Sequence, residues 1–243
     1  MTTPTISVVI PVRDGARYLG EALDSVLAQL PPGSEVIAVD DGSTDTTSAV
    51  LATYGPEVRT VHQPPSGLGT ALNRGIAEAR GTLVAFCDAD DRWVPGRLTA
   101  QLAAIDADPG LDIVGGSVEE FLSPDAADLA GRVRVADGPM QVRLLQALLV
   151  RRATLERVGA FDESLCHGVA IDWVSRADAL GTRVGWVDMV VAQRRIHHAN
   201  MGHDTAPARA DLLAVMRRDR QRRAAGRVPG SPAGATPVPG IEA

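Results

Sequence analysis

The chain opens on an apolar run rich in β-branched residues, ISVVIPV (6–12), and the pattern then changes period. In ARYLGEALDSVLAQ the residues Leu19, Ala22, Leu23, Val26 and Leu27 recur at three- and four-residue spacing, which predicts one buried helix face. Pro31, Pro32 and Gly33 stop that helix. A second apolar run, EVIAVDD, ends in two aspartates, and Ser43 or Thr44 opens a predicted helix, STDTTSAVLATY. VRTVHQ predicts a third strand, PPSGLG a loop and TALNRGIAEARG a helix. TLVAFCDADD predicts a fourth strand, again closing on aspartates, with PGRLTAQLAAI as the helix behind it and Pro95 near its first turn. Continuous apolar runs suit strands buried on both faces. Strands alternating with crossover helices predict an α/β fold, a doubly wound and mostly parallel sheet flanked by helices.

The second half is less regular. DIVGGSVEEF predicts a strand, SPDAADLAGRVRVADGP a polar loop or edge hairpin, and RLLQALLVRRATLERVG an apolar strand joined to a short helix. IDWVSRADALG predicts a helix, TRVGWVDMVVAQRRIHH a strand region and PARADLLAVMRRDRQRRAA a last helix. Charge divides the chain in the same places: residues 1–105 and 106–204 each sum to −5, and residues 205–243 to +4. The expected organisation is a ligand-binding half (1–105), a second half that completes the same domain (106–204), and an Arg-rich helix followed by a disordered Pro/Gly/Ala tail (205–243).

Composition narrows the function. All 24 basic residues are arginine. The lack of lysine excludes a Walker A loop, a Schiff-base lysine and a Ser–Lys dyad. Neither HExxH nor GxSxG occurs. A net charge of −6 argues against a dedicated nucleic-acid binder. Two cysteines, Cys87 and Cys166, are too few for a disulfide framework or a Cys-rich zinc site and read as reduced thiols. No apolar run approaches the ~20 residues of a membrane span, and MTTPTISVVIPVRD lacks a basic leader region. The expected location is cytoplasmic.

Ligands of doubly wound sheets bind beyond the carboxyl ends of the strands. Three of the four predicted strand ends carry charge there: Arg13 and Asp14, Asp40 and Asp41, then Asp88, Asp90 and Asp91. Gathering those carboxylates is costly without compensation, which a divalent cation or ligand donors would supply. A turn at a strand end can aim both carboxylates of Asp88-Ala89-Asp90 at one cation, and hard oxygen ligands suit Mg²⁺ or Mn²⁺. The plainer alternative is an exposed acidic turn.

In order along the chain, SVVIPVRDGARYLGEALDSVLAQ, EVIAVDDGSTDTT, GLGTALNRGIAEARGTLVAFCDADD, VRRATLERVGAFDESL, DWVSRADALG and RRIHHAN resemble the family 2 glycosyltransferases of the GT-A fold. The resemblance covers nearly everything before the tail. It implies a Rossmann-like GT-A domain that transfers a sugar from a nucleoside-diphosphate sugar, UDP-sugar foremost, with inversion and with Mn²⁺ or Mg²⁺. The acceptor is open: a small molecule, a lipid-linked sugar or a peptide. Pro11, Val12 and Arg13 would line the base and ribose pocket, although Arg13 also reads as a surface ion pair. Asp40 would accept from nucleobase ring N–H groups, with Asp41 and Asp45 as turn and cap residues. Gly67 and Gly69 would let a loop approach the phosphates, and Asn73 follows on the helix. Asp88, Ala89 and Asp90 would face the sugar nucleotide, Asp90 gripping the metal and Asp88 reaching the ribose or the metal. Asp91 reads as a helix cap or a supporting group. His197, in Arg-x-His-x-x-Asn, would complete the metal shell or touch the diphosphate, with His198 and His203 nearby and Arg194 and Arg195 neutralising phosphate.

The resemblance has two departures. Ala71-Leu72-Asn73 stands where relatives often have Ala-Arg-Asn. The acceptor hydroxyl needs a carboxylate base, which the family commonly supplies as Glu-Asp before x-Asp-Trp-x-x-Arg. An ungapped match to Asp172, Trp173 and Arg176 puts Val169 and Ala170 there. Asp172 is therefore the candidate catalytic base, or alternatively a structural partner of Arg176 at i,i+4. Asp162 and Glu163 are fallbacks. If Ala170 is the true counterpart, the acceptor needs little base help, or the chain is a catalytically impaired nucleotide-sugar-binding protein. The arginines of the last helix suit weak contact with a membrane surface or an acidic partner, or a solvated face.

Overall fold

The computed structural model describes residues 6–200 and 206–225. The expected tail and His203 lie outside these residues. Four parallel strands form the first part of the sheet: β1 (Ile6–Val12), β2 (Glu35–Asp40), β3 (Val58–His62) and β4 (Leu83–Phe86). Four more complete it: β5 (Arg92–Trp93), β6 (Ile113–Leu122), β7 (Leu149–Arg151) and β8 (Val184–Ile196). The eight run in the order β3-β2-β1-β4-β7-β6-β8-β5, so one sheet crosses both halves of the chain. β7 is antiparallel to β4 and β6, and β8 is parallel to β6.

The continuous apolar runs are explained by burial on both faces. In β1, Ile6, Val8, Ile10 and Val12 enter one core with α1 (Leu19–Leu27), α2 (Thr47–Thr53) and α4 (Arg97–Ala107). Val9 points the other way, to a second core shared with α3 (Leu68–Glu78), α5 (Arg152–Val158), α6 (Val169–Ala179) and α7 (Ala206–Ala225). α3 lies so close to the sheet that a Cβ on Gly75 would fall 2.3 Å from Val9 Cγ1. Cys87 is fully buried, and burial pushes its thiol well up, as expected of a small apolar residue.

Two features were not legible in the pattern. The helix expected from Ser43 or Thr44 begins at Thr47, because residues 43–45 are hydrogen-bonded to the loop after β1. β5 is only two residues long, and it pairs Arg92 with Gln193 and Trp93 with Ala192. The β6–β8 ladder shifts register between Gly115 and Val118, and such bulges bend strands. The pairing of β5 with β8 brings the end of β8 beside the turn that follows β4. That places His197 against Asp90. Among the described residues no helix is long and apolar enough to cross a membrane.

Candidate active site at the carboxyl rim of the sheet

The loops after β1 and β2 are laced together by their own side chains. Asp14, at φ +50°, accepts from the N–H groups of Thr44 (2.7 Å) and Asp45 (3.3 Å). The Thr44 backbone bond is the main reason its carboxyl stays below the usual range. Asp45 accepts from Ala16 N–H at 3.2 Å. Asp41 accepts from Gln63 Nε2, Ser66 N–H and Gly67 N–H at 2.7–2.8 Å, which anchors the loop after β3. These three aspartates are turn and loop anchors. Asp40 is buried, which alone would raise its pKa, yet bonds from Ser43, Ser48 and His62 outweigh burial and lower it. Pro11 is half-buried, Val12 is buried with its carbonyl accepting from Asp41 N–H at 2.9 Å, and Arg13 is exposed beside Asp14. The rim therefore needs no ligand to satisfy its first acidic groups, contrary to the expectation from charge alone.

The turn after β4 differs. One carboxylate oxygen from each of Asp88, Asp90 and Asp91 lies within 4.8 Å of the others. Burial, then the charge of Asp90, pushes Asp88 up to about 7, against the pull of Arg194. Burial followed by the charges of Asp88 and Asp90 drives Asp91 well above the carboxylate range. Ala89 sits half-buried between them. At Asp88 and Asp91 burial and like charge outweigh the donors, the reverse of the balance at Asp40. A hard, oxygen-only donor set short of positive charge fits a divalent cation such as Mg²⁺ or Mn²⁺.

The Arg-x-His-x-x-Asn segment folds back on the cluster. His197 Nε2 lies 2.9 Å and Asn200 Nδ2 3.3 Å from Asp90 Oδ2. Ala199 N–H donates to His197 Nδ1 at 3.2 Å, so the ring proton sits on Nε2 and points at the carboxylate. In this arrangement His197 is a hydrogen-bond partner of Asp90. Arg195 is buried under the same turn. Its Nε donates to Asp90 O at 2.9 Å and its Nη2 to Glu21 at 2.6 Å, and the guanidinium stacks on Tyr18 and Phe121. Arg194 pairs with Glu120 at 2.7 Å. Both arginines expected to neutralise phosphate are thus engaged within the protein. Beyond Arg195 lies a cleft of about 400 Å³ lined by Tyr18, Arg92 and Phe121 among others.

Three expected site residues on the other side of the rim are engaged within the protein. Asn73, expected near the nucleotide, donates to Phe161 O (3.0 Å) and Glu163 Oε1 (2.8 Å) and accepts from Phe161 N–H (2.8 Å). It holds the 161–163 segment. Gly69 was expected to admit phosphates, but a Cβ there would meet Asp162 O at 2.8 Å and Glu163 Cα at 3.1 Å, so its small size serves that same packing. Asp172, the expected base, is buried, with Oδ2 on Arg176 Nε (2.9 Å) and Oδ1 on Arg222 Nη2 (3.2 Å). Both oxygens are occupied by arginines, the arrangement the structural alternative anticipates. Asp162 is held by Ser164 and by Arg218 of α7, whereas Glu163 is exposed and takes its bond from Asn73.

Sequence reasoning passed over several residues that shape the site. Arg97, Gln101 and Gln146 form a buried polar seam behind Asp91. The signal was available: Arg97 and Gln101 are polar at i,i+4 on the face α4 turns to the core. Asn200 was seen only as part of a motif. Arg222 was read as surface charge.

A family model described as glycosyl transferase family 2 matches residues 7–157, more than half of the chain. An uncharacterised glycosyltransferase of Rickettsia typhi is 30% identical over 175 residues, 67% of this chain and 55% of the relative, so the chain spans about half of that protein's length. One from Nostoc sp. is 31% identical over 225 residues, 86% of this chain and 70% of the relative. Among solved structures, S. aureus TarS in complex with UDP-GlcNAc superposes with a TM-score of 0.74 at 21% identity, covering 92% of this chain and 68% of TarS. That likeness is one of fold, and it agrees with the GT-A architecture expected from the motifs. The curled, mostly parallel sheet and the sequence matches lead to one conclusion: the chain belongs to glycosyl transferase family 2.

Proposed function

We propose that this chain transfers a sugar from a nucleoside-diphosphate sugar, with a UDP-sugar as the leading donor, to a still unidentified acceptor, with inversion at the anomeric carbon. The observation that carries this reading is the convergence of Asp88, Asp90 and Asp91 at the end of β4, with His197 and Asn200 folded onto Asp90. Asp88 and Asp90 would hold Mg²⁺ or Mn²⁺, and such an ion supplies Lewis-acid stabilisation of a departing diphosphate. Asp40 lies two strands from β4 across β1, about 10 Å at normal strand spacing, a span that suits a nucleoside laid over the rim. The UDP-GlcNAc complex of the similarly folded TarS supports the choice of donor.

Deprotonation of the acceptor falls in this reading to Glu163. A base must be accessible and free of arginine, and of the three carboxylates considered Glu163 alone is exposed and unpaired with arginine among the described residues. The test of donor binding is calorimetric titration with UDP, with and without Mn²⁺. Binding should tighten at least tenfold with the metal, and Asp90→Ala should erase that gain. Wild-type binding that ignores the metal would remove the cation from the reading.

A second reading has its own support. With Asp172 enclosed by Arg176 and Arg222 and Ala170 at the family's base position, the scaffold can bind a nucleotide sugar without turning it over. Release of UDP from UDP-sugar in the presence of acceptors separates the two.

A further inference from the structure

The turn after β4 is held from behind by a seam of neutral and cationic donors that begins on α4. A short 3₁₀ turn, Leu145–Ala147, leads into β7 and faces the interior with its backbone carbonyls. Buried carbonyls need donors, and α4 supplies them. Arg97, fully buried and stacked 4.0 Å from the Trp93 ring, donates to the carbonyls of Gln146 and Leu148. Gln101, one helical turn on, donates to Ala147 O and Val114 O at 3.0 Å and accepts from Arg97 Nε at 3.2 Å. Among the described residues no carboxylate pairs with Arg97. Its work is to fix the backbone of residue 146.

With that backbone fixed, the Gln146 side chain is aimed at the carboxylate cluster. Its Nε2 donates to Asp91 Oδ2 at 3.0 Å, and Arg195 N–H donates to Asp91 Oδ1 at 2.8 Å. Asp91 is 2% exposed and has a neutral donor on each oxygen. Asp91 N–H in turn donates to Asp88 O at 3.1 Å, closing the turn that carries Asp88 and Asp90.

We propose that Gln146 is a positioning residue for the divalent-cation site, holding Asp91 in the interior so that the turn is fixed and Asp88 and Asp90 are the carboxylates that face the ion. This rests on the donor and metal reading above. Asp91 then acts as a post under the turn and not as a ligand.

The experiment titrates Mn²⁺, followed by its electron paramagnetic resonance signal, into the full chain with saturating UDP. Wild type, Gln146→Leu and the double variant Gln146→Glu/Asp91→Asn are compared. The double variant remakes the same hydrogen bond with donor and acceptor exchanged, keeps the acceptor for Arg195 N–H, and leaves the total charge unchanged. Gln146→Leu should weaken Mn²⁺ binding 10–100-fold, the usual cost of losing a group behind a ligand, while metal-free UDP affinity stays within about twofold. The double variant should return to within about threefold of wild type. Unchanged Mn²⁺ affinity in Gln146→Leu would overturn the proposal, as would a double variant no better than Gln146→Leu, since the Asp91 charge would then act on the ion directly. If Gln146→Leu does not fold, the double variant decides alone. If wild type binds UDP but no Mn²⁺, the metal reading itself is what has failed, and this inference falls with it.

Discussion

At the scale of single residues, the roles of aspartates depend on who bonds to them. Asp14, Asp41 and Asp45 are held by backbone N–H groups and tie loops together, whereas Asp88 and Asp91 are pushed up by burial and by the charge of Asp90, Asp91 also by that of Asp88. Asp172 is of a third kind, held by the arginine side chains of Arg176 and Arg222, and Glu163 takes its bond from Asn73 alone among the described residues. Asp172→Asn should therefore cost stability, about 1–3 kcal/mol in urea unfolding, because two arginines lose their carboxylate. Glu163→Gln should leave unfolding within about 0.5 kcal/mol of wild type and lower kcat/KM for transfer by 10²–10⁴-fold, roughly the worth of a general base. A folded Asp172→Asn enzyme with transfer abolished, next to a fully active Glu163→Gln, would reverse the assignment of the base.

At the scale of elements, α7 is part of the body of the protein. Val215 is 1% exposed in the core that contains Trp173, and Arg222 and Arg218 reach Asp172 and Asp162. Asp211 accepts from the N–H groups of Cys166 and His167 at 2.9 Å, which secures the loop before α6. An arginine-rich helix was legible as a helix, but which of its arginines face inward was not, because the partners sit 50 and 56 residues away in sequence. Val215→Ala should cost about 1.5–3 kcal/mol for two buried methyl groups and the space they leave. Met216→Ala, one position on and 57% exposed, should change stability by less than about 0.5 kcal/mol. Equal effects in chemical denaturation would mean that α7 does not dock as described.

Across the whole molecule, Asp112 is the staple between distant parts. It stands before β6, accepts from Thr154 and Arg157 of α5 at 2.8–2.9 Å, and takes Arg183 N–H at 2.9 Å ahead of β8. Burial works to raise its pKa, but those bonds outweigh burial and hold it below the unfolded value. A depressed carboxylate contributes stability that is present above its unfolded pKa, near 4, and is lost as pH falls through the folded value. Asp112→Asn should accordingly be less stable than wild type by about 1–3 kcal/mol at pH 7, with the gap closing below about pH 4. Thermal unfolding of both proteins from pH 3 to 8 measures it, and a gap that is constant across that range would contradict the linkage.

The first four strands, the helices between them, the acidic turn after β4 and the family were legible in sequence because each is a local signal: an apolar run, a helical period, a fixed motif. Alternation of Val8 and Ile10 with Val9 toward opposite cores follows from the same strand period. What only tertiary structure decided is which charges are compensated. Asp40, Asp91 and Asp172 look alike in sequence, and their partners are His62, Gln146 and Arg222, brought from 22 to 55 residues away by the curl of one sheet and the docking of the last helix. Hydrogen bonds and desolvation act over a few ångströms of space, so the chemistry of each carboxylate was set only when the chain had folded around it.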